Sequence, residues 1–167
     1  MELLDIYDDF GNLTGKTVVR GNKYNTLKSN EHIALAVIFI ENSKGEFLIQ
    51  KASVEKGNIF SSTGGHVTSK ETPLTTVIRE VKEELGIDIS GDDVISLGYL
   101  LYDMPIRYMY YIKKDIDIND VTIQKEEVAY VKYASVQEIQ DLIKNNKFLK
   151  SHGLIFEEVL RYKHKTK

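Results

Sequence analysis

An unbroken run of eight apolar residues, Ile33 to Ile40 (IALAVIFI), constrains this chain more than any other feature. It is far too short to cross a membrane and rich in β-formers, so it reads as a strand. A strand that is apolar at every position, rather than alternating, belongs inside a sheet and needs cover. The 167 residues suffice for one compact domain with a sizeable core, and we expect a single domain over 1–167.

The rest of the chain supplies partners for that strand. Leu3 to Tyr7 and Lys16 to Arg20 flank the turn-rich DDFGNLTG, which predicts an N-terminal hairpin over about 1–25. The turn ENSKG leads from the apolar run into Glu46 to Gln50, expected to pair antiparallel with it. Residues 51–71 read as one long loop, and loops of that length in small domains are usually functional. Strands are expected at Val94 to Tyr102, Ile106 to Lys113 and Val128 to Tyr133. Ser135 with Glu138 three residues on signals a capped helix to about Asn145, and a last helix near Gly153 to Tyr162 completes a C-terminal pair over about 135–163. Strands mixed with three helices imply an α/β (α+β) sheet covered by helices.

Charge and cysteine content exclude several classes. A net charge of −3 gives no grip on nucleic acid, and the basic residues Arg161, Lys163, Lys165 and Lys167 read as a solvated helix end. With no cysteine, disulfides, thiolate metal sites and cysteine nucleophiles are absent. There is no membrane span and no basic-then-apolar leader, so a cytoplasmic enzyme with a small-molecule substrate is expected.

The segment GGHVTSKETPLTTVIREVKEELGID concentrates the chemistry. Thr72 is a good N-cap, Pro73 suits the first helical position, and Gly86 suits the stop after Leu85. On that helix Glu80, Glu83 and Glu84 fall at i, i+3, i+4 and share an arc of about 100°. Leu74, Ile78, Val81 and Leu85 form a separate stripe for the core. Three clustered carboxylates beside Arg79 and Lys82 also describe an ordinary solvated face. The preceding Gly64-Gly65 alters the balance, because glycine lets backbone come close to a ligand. Carboxylates with a carbonyl and substrate phosphates suit hard Mg²⁺, which clamps a diphosphate and acidifies an attacking water.

The same segment resembles the Nudix box, G-x5-E-x7-R-E-U-x-E-E-x-G-U with U a bulky apolar residue. Gly65, Glu71, Arg79, Glu80, Val81, Glu83, Glu84, Gly86 and Ile87 fill every specified place over 65–87. The resemblance implies a Nudix-type α/β/α sandwich with a mixed central sheet and a metal-dependent pyrophosphohydrolase of the MutT-like kind, using Mg²⁺ or Mn²⁺. It implies metal ligation by Glu80 and Glu84, by Glu83 directly or through water, and by a carbonyl of Gly64 or Gly65. Arg79 would orient a catalytic carboxylate, Glu71 would brace the loop–helix junction, and a further glutamate would come from outside the box, Glu127 or alternatively Glu126.

A second likeness, in His32, IALAVIFI, NSKG, FLIQKAS and the later Gly-Gly-His, is to type I isopentenyl-diphosphate isomerases and to hydrolases sharing their framework. In those isomerases a cysteine matches Gly64 and histidines match His32 and His66. Both histidines are kept here and the cysteine is not, so no isomerase activity is expected. His66, Gly65 and Tyr102 are the candidate substrate contacts, and Phe60, Tyr108 and Tyr110 are further aromatic residues able to stack a base. A histidine at a strand start, as His32 is, is more often structural. The expected substrate is a nucleoside diphosphate linked to another group, or a nucleoside triphosphate. A non-catalytic nucleotide sensor is the alternative. The family resemblance makes a homodimer common, though nothing in the sequence specifies an interface.

Overall fold

The structure, a computed structural model, describes residues 2–21 and 24–166. The apolar run becomes β3 (Ala34–Glu41), following a hairpin of β1 (Leu3–Tyr7) and β2 (Leu13–Val19). Strand β2 thus begins three residues before Lys16, and the outer parts of the expected hairpin, Met1, Asn22 and Lys23, lie outside the described residues, as does Lys167. Then come β4 (Phe47–Ala52), β5 (Phe60–Ser61), β6 (Thr63–His66), α1 (Pro73–Leu85), β7 (Ile95–Leu101), β8 (Ile106–Lys113), β9 (Val128–Ala134), α2 (Val136–Lys144) and α3 (Lys150–Lys165).

A mixed sheet with helices on both faces accounts for β3 being apolar throughout. Ala34, Ala36, Ile38 and Ile40 pack with Val77, Val81 and Leu85 of α1. Val37 and Phe39, on the opposite face, pack with Ile139 of α2 and with Ile155, Phe156 and Val159 of α3. The stripe of α1 is centred on Val77, Val81 and Leu85; Leu74 and Ile78, expected to lie in it, are only partly buried.

The strand pairing opens a cleft. Strand β3 runs parallel to β8 along its whole length, from Ala34↔Ile106 to Glu41↔Lys113. The expected antiparallel partnership of β3 with β4 is reduced to Glu41↔Phe47, because β4 turns away to pair with β9 and β5. Strand β6 takes the vacated edge, from Leu35↔His66 to Ile38↔Thr63. Residues 51–71 are therefore not one loop. The segment TGGH lacks the alternation that marks a strand, and it is held by backbone bonds to β3 rather than by its side chains.

Helix α1 begins and ends where its capping residues require. The Thr72 hydroxyl accepts from the Thr75 amide at 3.1 Å, and the Thr75 hydroxyl accepts from the Thr72 amide at 3.0 Å. Gly86 closes it at φ 71°, a left-handed conformation in which glycine carries no side-chain penalty. Ser135 caps α2 as expected, but Glu138 turns to Lys132 instead of closing a box. The C-terminal helix starts at Lys150, earlier than Gly153, and its basic end is not simply solvated: Lys163 pairs with buried Glu41. Among the described residues, no helix is long and apolar enough to cross a membrane.

Candidate active site

The opening between β3 and β4 forms a cleft of about 480 Å³. Its wall on one side is β6, with Gly64, Gly65 and His66, and on the other the end of α1 with Arg79, Glu80, Glu83 and Glu84. Glycine is needed at both β6 positions for spatial reasons. A Cβ on Gly64 would lie 2.5 Å from the Ala36 carbonyl oxygen, and one on Gly65 would overlap the Glu80 carboxylate. Glu80 thus rests directly on the backbone of Gly65.

Arg79 organises the carboxylates. Its Nε and Nη2 grip Glu71 in two bonds of 2.7 and 2.9 Å, Nη1 reaches Glu80 at 2.9 Å and Glu83 at 3.2 Å, and Nη2 also donates to the His66 carbonyl at 3.2 Å. Such forked guanidinium–carboxylate pairs fix orientation as well as charge. Glu71 further accepts from the Thr68 amide and hydroxyl and from the Thr76 hydroxyl. Burial opposes its charge, yet the bonds from Arg79, Thr76 and Thr68 hold the carboxyl down at about 2. Glu71 therefore ties the loop to α1 as an anion at neutral pH.

Glu80 and Glu84 are in the opposite condition. Glu84 is only 8% exposed, and burial, with the charge of Glu80 beside it, pushes its carboxyl well above the usual range against a 2.8 Å bond from Gln50. Burial likewise raises Glu80. Glu83 is the outlier, with about half of its side chain exposed at the cleft mouth. The expected shared acidic face is thus one buried carboxylate, Glu84, a partly buried one crowded beside it, Glu80, and an exposed one, Glu83.

Glu127 arrives from outside the helix. The segment before β9 docks on the end of α1 through the Thr122 amide to the Leu85 carbonyl, 2.9 Å, and the Gln124 amide to the Glu84 carbonyl, 3.3 Å. This brings Glu127 to the cleft, 3.5 Å from Lys56, where its charge adds to the crowding at Glu84. Glu126 only offers its carbonyl to Ser53 and does not line the cleft.

Other candidates do not join the cleft. Tyr102 sits at the β7–β8 turn under the Arg107 guanidinium, 5.3 Å from its ring centre. Phe60 packs edge-on to Tyr130, Tyr108 donates to the Gly11 carbonyl, and Tyr110 is buried. Both ring nitrogens of His32 are occupied, by the Met104 carbonyl at 2.7 Å and Asp9 at 2.6 Å, so His32 joins the hairpin to the sheet. His66 does line the cleft, and burial together with the charge of Arg20 lowers it to about 4.

The sequence did not single out several cleft residues, among them Gln50, Arg20 and His152. Gln50 closes the apolar stretch of β4 and links Glu84 to Thr63; a polar residue at the end of a buried strand is the only local signal for it. Arg20 lies just beyond β2, and His152 in the first turn of α3 accepts the Ser62 amide at 3.1 Å. Burial and the Arg107 charge hold His152 down to about 4. A histidine lowered from 6.5 on folding stabilises the folded chain above pH 6.5, and that contribution is lost as pH falls from 6.5 towards 4. We expect His152→Gln to flatten the stability decline between pH 6.5 and 4.5 by about 2 kcal/mol, measured by urea unfolding. An identical decline in wild type and variant would contradict it.

A sequence model of the NUDIX domain matches residues 30–153. An uncharacterized Nudix hydrolase of Listeria monocytogenes is 33% identical over 153 residues, 89% of each chain. The chloroplastic isopentenyl-diphosphate Delta-isomerase II of Arabidopsis thaliana is 28% identical over 163 residues, 78% of this chain and 56% of that one. Among solved structures, DR0079 of Deinococcus radiodurans shares the fold with a TM-score of 0.74 at 19% identity, over 93% of this chain and 98% of that one. The chain belongs to the Nudix family.

Proposed function

We propose that this Nudix chain hydrolyses a diphosphate bond, with water attacking phosphorus, in a nucleoside diphosphate linked to another group or in a nucleoside triphosphate. The observation that carries this reading is the pair Glu80–Glu84, one partly buried and one buried carboxylate side by side in the cleft. Among the described residues no three histidine, aspartate or glutamate side chains converge as a ready metal cluster, and Arg79 bonds both Glu80 and Glu83. The donor set still fits a hard cation. Glu80 and Glu84 carry oxygen donors whose mutual repulsion a cation relieves, Glu80 rests against Gly65, and Gly64 and Gly65 line the same cleft.

Glu80, Glu84 and a Gly64 or Gly65 carbonyl would hold Mg²⁺ or Mn²⁺, with Glu83 contributing at the mouth. The ion supplies charge neutralisation at the diphosphate and a more acidic attacking water. Arg79 holds Glu80 and Glu83 in position, and exposed Glu83 or Glu127 can take up the proton of the water. His66 faces the phosphates.

The Arabidopsis isomerase likeness supports placing the chain in the branch that shares the isomerase framework, but not isomerisation. That chemistry needs a proton donor and acceptor across the allylic carbons, and Gly64 provides neither. The Ala36 carbonyl beside its Cα leaves no room for a side chain at that position. The test is a panel of nucleoside diphosphate conjugates, nucleoside triphosphates and isopentenyl diphosphate, each with Mg²⁺ and with chelator. We expect metal-dependent hydrolysis of at least one nucleotide and no dimethylallyl product. Nucleotide binding without turnover across the panel would instead indicate a sensor.

A further inference from the structure

The N-terminal hairpin reaches the cleft, and no part of the Nudix box accounts for why. It is fastened to the segment just before α1. Leu4 bridges Thr68, the Ser69 amide donates to the Leu3 carbonyl at 2.7 Å, and Asp5 accepts from the Ser69 hydroxyl at 2.8 Å and the Lys70 amide at 3.0 Å. Leu4 is completely buried beneath this joint. The joint delivers Arg20 and Glu2, from the open end of the hairpin, to the cleft wall beside His66. Their backbones are paired, Arg20 amide to Glu2 carbonyl at 2.9 Å, so Arg20 is held at that wall by main chain.

The charges of the cleft give Arg20 its meaning. Five glutamates line it, Glu2, Glu80, Glu83, Glu84 and Glu127, against two arginines. Arg79 has every nitrogen committed, to Glu71, Glu80, Glu83 and the His66 carbonyl. Arg20 makes one side-chain bond among the described residues, from Nη1 to Glu2 at 2.9 Å, and about half of each partner is exposed. Exposed pairs of this kind are weak, whereas a guanidinium fork on phosphate oxygens is among the stronger charge-assisted contacts.

We propose that Arg20, carried by the β1–β2 hairpin, is the binding residue for the phosphate group of the substrate that is not attacked, and that Glu2 is the partner it leaves when substrate enters. This rests on the diphosphate reading above. The hairpin is then part of the binding site, and the two phosphates would be held from opposite walls, one through the cation on the carboxylate end of α1 and one by Arg20.

Calorimetric binding of methylenediphosphonate with Mg²⁺, which needs no turnover, tests it in wild type, Arg20→Ala, Arg20→Lys and Glu2→Gln, each first checked for an unchanged Tm. We expect Arg20→Ala to weaken binding at least tenfold, Arg20→Lys to fall between, and Glu2→Gln to bind as tightly as wild type or a few-fold tighter. In hydrolysis of any accepted substrate, Arg20→Ala should raise KM more than it lowers kcat. Binding by Arg20→Ala within twofold of wild type overturns the proposal, as does no binding by wild type. Equal weakening in Glu2→Gln and Arg20→Ala also overturns it, because the ion pair would then matter only as a brace. If Arg20→Ala weakens diphosphonate binding while wild type hydrolyses nothing, the subsite stands and the hydrolase reading falls.

Discussion

Glu84→Gln is expected to lower kcat/KM by about three orders of magnitude and to leave the fold as stable as before, or more so. The loss follows from removing one of the two carboxylates proposed to hold the cation, the one buried beside Gln50. Stability moves the other way because Glu84 is crowded in the folded chain. Its carboxyl is raised by burial and by Glu80, so folding disfavours its charge at neutral pH. An acid raised on folding costs stability progressively as pH climbs above its unfolded value. Glutamine keeps the shape and can still meet Gln50 while removing that cost. Thermal unfolding with and without Mg²⁺ checks both halves: the ion should raise the Tm of wild type and not that of the variant. A Glu84→Gln protein that turns over at the wild-type rate would remove the carboxylate pair from the account.

Gly65→Ala should lower kcat/KM by about a hundredfold or more without unfolding the chain, whereas Gly64→Ala should destabilise it. One methyl group has two consequences because the neighbours differ. At Gly65 the added Cβ falls on the carboxylate of Glu80, a flexible side chain that can swing aside at the expense of its bond from Arg79. At Gly64 it falls on the Ala36 carbonyl, and the β3–β6 pairing itself must shift. Displacing a catalytic group by about 1 Å costs on the order of 10²-fold in rate. Overpacking a closely packed interior costs about 1–3 kcal/mol. Rate assays beside urea unfolding of both variants separate the two, and equal effects of the two substitutions on rate and stability would contradict this arrangement.

These contrasts show what the sequence made legible. The helix of the box could be bounded from Thr72 through Gly86, because its caps are local, although its buried stripe is centred on Val77 rather than on Leu74 and Ile78. The central strand was equally plain, since an apolar run has few alternatives. Gly64-Gly65 could be recognised as a close-approach element but not as a strand, because its pairing is made by the backbone of β3, far away in sequence. The same reason hid the partner of β4, which lies at β9. It also hid Gln50, Arg20 and His152, each brought to the cleft by a long-range contact rather than by local spacing. Aromatic residues misled in the other direction: Tyr102, Tyr108 and Tyr110 have the chemistry to stack a base, yet packing places them elsewhere.

The central claim is that the cleft delivers water to phosphorus with the help of a divalent cation. Turnover of an accepted diphosphate substrate in ¹⁸O-labelled water, with Mg²⁺ and then with chelator, tests it most directly. The account predicts turnover only with the ion, and one label atom on a phosphoryl product per cleavage. Cleavage that persists under chelation, or label found on carbon rather than phosphorus, would contradict it.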